Sequence, residues 1–103
     1  MDKLPSESVS VYGGIIRREF LIPADTDLVS HRHPYDHLSV LYSGTAVLTK
    51  DGETSTLVGP CMVEIKAGTQ HYVHAITDCT WDCLHSLKLA EESHDPYILE
   101  GVS

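Results

Sequence analysis

The heptapeptide His31-Arg32-His33-Pro34-Tyr35-Asp36-His37 (HRHPYDH) places three of the chain's seven histidines within seven residues. On an extended strand, residues i and i+2 project from the same face, about 6.5–7 Å apart along the backbone. Read as the end of a strand running from Leu28 to His33, the segment aims His31 and His33 at one point. A turn through Pro34-Tyr35-Asp36 brings His37 back beside them, at the head of an alternating run in which His37, Ser39 and Leu41 share one face. The alternative is a polar turn whose imidazoles face water. His71 opens another alternating run much later in the chain, after the Ala67-Gly68-Thr69-Gln70 turn, and only a specific fold makes it a neighbour of the first three.

Working outward, short alternating segments separated by turn residues recur along the chain, with no sustained 3.6-residue apolar period. Strands are expected at Ser8–Tyr12 and Ile15–Ile22, split by Gly13-Gly14, then at Leu28–His33, His37–Tyr42 and Thr45–Lys50. Asp51-Gly52 is the strongest hairpin signal, a two-residue type I′ turn into Glu53–Leu57. Met62–Ile65, His71–Ile76 and Thr80–Leu89 complete the set. Eight to ten short strands in about 100 residues must close on themselves to hide their edges, so the expected fold is all-β, a small barrel or jelly roll. Residues 90–103 read as a polar surface linker with a short apolar end, Tyr97-Ile98-Leu99, available for a partner subunit.

At 103 residues with 42% hydrophobic content, the chain fits one domain, with a barrel core over about residues 9–89. A domain this size buries roughly 65% of the surface its unfolded chain exposes, so metal ligation or pairing into a homodimer would add useful stability. Fifteen acidic against seven basic residues give a formal charge of −8, which repels nucleic acid and anionic membrane surfaces. No apolar run approaches the roughly 20 residues of a membrane span, and the polar first residues do not resemble a signal sequence, so a cytoplasmic location is expected. Cys61, Cys79 and Cys83 form no CxxC pair and are read as reduced, small apolar residues.

His31-Arg32-His33-Pro34-Tyr35-Asp36-His37, followed after six residues by Gly44, resembles the first motif of the cupin superfamily, HxHxxxE with six further residues and Gly. His37 stands where that motif usually has Glu. Lys66-Ala67-Gly68-Thr69-Gln70-His71 is similar to the second motif, G(x)5PxGxxHxxxN, with Gly68 and His71 in register and with Pro60, Lys66 and Ala75 replacing its leading Gly, its Pro and its Asn. The resemblance implies a cupin-type double-stranded β-helix. It implies that His31, His33, His37 and His71 converge inside the barrel on one divalent transition metal. Imidazoles suit Fe, Ni, Zn or Cu better than Mg or Ca.

Losing the motif's carboxylate leaves a full +2 charge on such an ion, which favours a substrate arriving as an anion. The activity so implied is that of a small metal-dependent enzyme, dioxygenase-like or isomerase/lyase-like, acting on a compact polar or anionic small molecule. The rival is a non-catalytic metal- or ligand-binding module, a sensor, carrier or structural unit; a closed tetrahedral zinc would favour it and open coordination positions the enzyme. His85 shares a strand face with Trp81 and Cys83. If that face points inward, His85 can act as a general acid or base and Trp81 can wall a pocket; if outward, the three belong to a dimer surface. Tyr35 and Tyr72 flank ligands and can meet a substrate at the barrel mouth, or simply pack. His74, three residues after His71, belongs to the opposite face.

Overall fold

The computed structural model describes residues 4–99, and they form two antiparallel sheets laid face to face. The first half of the chain gives β1 (Ser6–Tyr12), β2 (Ile15–Ile22), β3 (Asp27–Val29), β4 (His37–Ser43) and β5 (Thr45–Lys50). The second half gives β6 (Glu53–Val58), β7 (Cys61–Ile65), β8 (His71–Ala75) and β9 (Cys79–Ser86), followed by two short helices, α1 (Leu87–Glu92) and α2 (Pro96–Leu99). One sheet runs β1-β2-β9-β4-β7 and the other β3-β8-β5-β6. The fold is the all-β jelly roll expected from the alternating segments.

Alternation explains the layers. Inward positions on β4 are His37, Ser39 and Leu41, on β9 Cys79, Trp81, Cys83 and His85, and on β8 His71, Val73 and Ala75; all are buried. Trp81, Leu41, Leu48, Val73, Ala75, Cys79 and Cys83 form the main apolar core between the sheets. A second cluster of Ile16, Tyr35, Ala90 and Ile98 closes one end of the barrel. The three cysteines are free thiols, and Cys79 and Cys83 are buried, as small apolar residues are. Asp51 and Gly52 both have positive φ (45° and 86°), the signature of the type I′ turn between β5 and β6.

Two expectations about backbone are corrected. The strand expected over Leu28–His33 stops at Val29. Its ladder partner β8 begins at His71, so after Ser30 donates to the His71 carbonyl (3.1 Å) no strand remains beside residues 31–33. His31 and His33 therefore do not share a strand face. The strand expected to reach Leu89 ends at Ser86, whose side chain accepts from the Leu89 N–H (3.2 Å) and caps α1. Helices of six and four residues are too short to show a helical period in sequence, which is why residues 87–99 read as strand end and linker.

Gly44, between β4 and β5, has φ +98°, and a Cβ there would collide with the Asp78 carbonyl oxygen and lie 2.7 Å from Cys79 Sγ. Gly52 has a similar φ of +86° with nothing within 4 Å. Gly44→Ala is expected to cost about 2–3 kcal/mol, from backbone strain plus the collision, against about 1 kcal/mol for Gly52→Ala. Thermal melting of the two variants checks this; equal losses would mean that the close approach of β9 is not what requires glycine at position 44.

Candidate metal centre

Four imidazoles meet inside one end of the barrel. His33 comes from the loop before β4, His37 from the first residue of β4, His71 from the first residue of β8, and His85 from the end of β9. Each is between 1% and 7% exposed. Ring centroids lie 4.4 Å apart for His37–His85, 5.0 Å for His33–His85, 5.3 Å for His33–His37 and 5.9 Å for His37–His71. The register accounts for the closest pair: Ser39 lies opposite Cys83, so the next inward positions, His37 and His85, face each other across β4 and β9.

Burial and mutual repulsion hold His37, His71 and His85 neutral. Desolvation first, and neighbouring imidazoles second, depress His37 and His71 to about 4 and His85 to about 3. Both nitrogens of His37, and Nδ1 of His71 and of His85, are buried with no hydrogen-bond partner among the described residues. A buried polar group left without a partner costs about 1–3 kcal/mol. Neutral imidazoles with free lone pairs are the form in which histidine binds a transition metal, so the chemistry of these donors suits one. One nitrogen each from His37 and His85 and the Cys83 sulfur lie within 4.8 Å of one another. Burial pushes the Cys83 thiol up, and Ser39 Oγ lies 3.6 Å from its sulfur.

The remaining sequence candidates are distributed as follows. His31 is exposed; its ring stacks on Tyr97 with centroids 3.8 Å apart, so the structure does not bring it into the cluster with His33, His37 and His71. Tyr35 is buried beside His33 and His85, but its hydroxyl already donates to Asp95 (2.8 Å). The inward face of β9 carries His85 into the cluster, whereas Trp81 lies in the main core. Tyr72 is 42% exposed on the outward face of β8, away from the imidazoles. His74 is on that same outer face, paired with Asp27 at 2.7 Å.

Sequence reasoning missed Asp95. It is buried in the turn between α1 and α2, and its carboxylate faces His33 Nδ1 (2.7 Å) and the Tyr35 hydroxyl. Burial pushes this carboxyl up, but the hydrogen bonds from Tyr35 and His33 outweigh it and hold the group below the usual carboxylate range. The only signal was Asp-Pro at the start of a helix, which reads equally as an ordinary cap.

A cavity of about 290 Å³ opens onto the cluster. His33, His71, His85 and Cys83 line it, Phe20 and Leu28 give it apolar wall, and His31 and Tyr97 stand at its rim. Arg18 also lines it, bonded to Glu7 (2.8 Å) and to the Tyr97 carbonyl.

With depressed folded values, these histidines take up protons more readily in the unfolded chain, where imidazole titrates near 6.5. Their stabilising effect is present above pH 6.5 and is lost as pH falls toward 4. Chelator-treated protein is expected to melt at progressively lower temperature across that window, and His85→Gln to flatten the slope by about a third. A melting temperature constant from pH 7 to pH 4 would contradict the neutral, buried state of the cluster.

No protein-family model and no curated protein matches this chain. Solved structures do. A cupin superfamily protein from Desulfitobacterium hafniense matches with TM-score 0.73 and 14% identity over 84% of this chain and 81% of its own. An RmlC-like cupin protein from Desulfovibrio desulfuricans matches with TM-score 0.72 and 16% identity over 82% and 83%. Salicylate 1,2-dioxygenase from Pseudoaminobacter salicylatoxidans, in a structure with gentisate, matches with TM-score 0.76 and 12% identity over 85% of this chain but 26% of that one. The chain has the cupin fold.

Proposed function

We propose that this cupin-fold chain binds one divalent transition metal through His33, His37, His71 and His85 and uses it on a compact polar or anionic small molecule. The observation that carries the reading is that His37, His71 and His85 are buried and neutral with nitrogens lacking hydrogen-bond partners among the described residues, His71 and His85 lining a cavity. His33, His37 and His71 are three of the four motif positions. His85 takes the fourth place in the cluster, because His31 is held at the rim by Tyr97. Iron, nickel, copper and zinc all suit this donor set. A metal so held supplies Lewis acidity, with redox chemistry added for iron, nickel or copper.

The chain's own residues then divide the work. His85, neutral at pH 7 because of its depressed value, offers a lone pair to a metal and no proton to a leaving group. Phe20 and Leu28 keep the cavity wall apolar, which strengthens every charge interaction inside it. Arg18 is the one lysine or arginine among the cavity's lining residues, and it is paired with Glu7, which lines the cavity too. A carboxylate or enolate substrate would take the place of Glu7 on Arg18, and a dioxygenase-like reaction is the leading activity. The gentisate structure of the similar dioxygenase supports a small aromatic acid as the first substrate class to try. A binding module is the second reading, favoured by the closeness of Cys83 to His37 and His85, which would allow a four-coordinate site with no open position.

Protein prepared without a histidine tag is expected to hold about one equivalent of transition metal by elemental analysis. His71→Ala and His85→Ala should each lower metal affinity by tenfold or more, an effect of about 1.4 kcal/mol or greater, while His31→Ala leaves it within a few-fold. If His31→Ala abolishes binding and His85→Ala does not, the fourth ligand is His31, and Tyr97 must give it up on loading. No metal uptake by the unaltered chain would end the metal reading. X-ray absorption separates the two functional readings: five- or six-coordinate metal supports the enzyme, and a closed tetrahedral site the binding module.

A further inference from the structure

Asp95 is 3% exposed, and each of its polar groups has a partner. Its Oδ2 accepts from the Tyr35 hydroxyl (2.8 Å) and lies 2.7 Å from His33 Nδ1, its Oδ1 accepts from the Tyr97 N–H (3.0 Å), and its own N–H donates to the Ala90 carbonyl (3.0 Å). No lysine or arginine is bonded to it among the described residues. A buried carboxylate needs positive charge nearby, and the group it meets is an imidazole, not an ammonium or guanidinium. An ionised carboxylate only accepts, so His33 must donate through Nδ1. That leaves Nε2 as the one nitrogen of the ring able to bind anything else.

We propose that Asp95 is a positioning residue that fixes His33 with Nδ1–H toward the helical turn and Nε2 free for a divalent metal. The inference rests on the metal-binding reading and adds to it that the C-terminal helices, not the barrel alone, complete the site. A carboxylate behind a ligating imidazole locks the ring's tautomer and orientation and makes the ligand more basic. Its negative charge would be offset through the ring by a cation held at Nε2. The geometry is maintained by the second apolar cluster, where Ala90 and Ile98, on either side of Asp95 in sequence, pack with Ile16 and Tyr35.

Two measurements on the full chain test this. In metal-free, nitrogen-15-labelled protein, long-range proton–nitrogen correlations of His33 are expected to show a single Nδ1–H tautomer, becoming mixed in Asp95→Asn. Zinc titration against a chromophoric chelator should show Asp95→Asn binding about 10–100-fold more weakly than the unaltered chain. Tyr35→Phe, which removes the other hydrogen bond to the carboxylate but no charge, should stay within a few-fold. An Nε2–H tautomer in the unaltered chain, or unchanged zinc affinity in Asp95→Asn, overturns the proposal. A fixed Nδ1–H tautomer that is lost in Asp95→Asn, in a chain that takes up no zinc, sinks the metal reading and leaves the positioning of His33 by Asp95 standing.

Discussion

Four buried imidazoles, each with its ring centroid within about 6 Å of another's, cannot all be charged, and the rest of the site follows from that constraint. Desolvation and mutual repulsion keep His37, His71 and His85 neutral at ordinary pH, and neutral rings retain lone pairs. Spending interior volume on them displaces apolar side chains that would stabilise the barrel by packing. A small domain with a modest core retains such a cluster at a cost, and under the proposed function metal ligation would offset it. The main core is kept separate: Trp81, Leu41, Leu48 and Val73 fill the rest of the barrel with apolar surface.

The charges around the cluster are arranged in depth. Arg18 faces the cavity, where a substrate would arrive, and its own bonds run to Glu7 and to the carbonyl of Tyr97. Asp95 lies behind His33, sealed by Tyr35 and by the apolar contacts of α1 and α2. Under the proposed function, Arg18 would exchange Glu7 for an anionic substrate and the carboxylate behind His33 would balance a bound cation. Residues 87–99 therefore contribute to the site: they supply the buried carboxylate, the stacking partner of His31 and the plug of the second core cluster.

The sequence by itself determined the layers. Period-two alternation grouped the residues of β4, β8 and β9 by face, because a pleated strand has no other way to arrange neighbours, but left open whether the His85 face of β9 turned inward; Asp51-Gly52 specified its hairpin because only residues tolerant of positive φ form that turn. It also put His33, His37 and His71 among the residues to watch. What only tertiary structure decided was which rings meet. His31 lost its expected place because β8 starts too late in the chain to extend the ladder beyond Ser30, so the two-residue spacing to His33 had no strand to act on. His85 gained a place because β9 pairs with β4 in a register that sets it opposite His37, and cross-strand register depends on packing across the whole sheet. Asp95 was invisible for the same reason: its partner His33 lies 62 residues away, and nothing local marks a carboxylate whose role is to meet an imidazole through the fold.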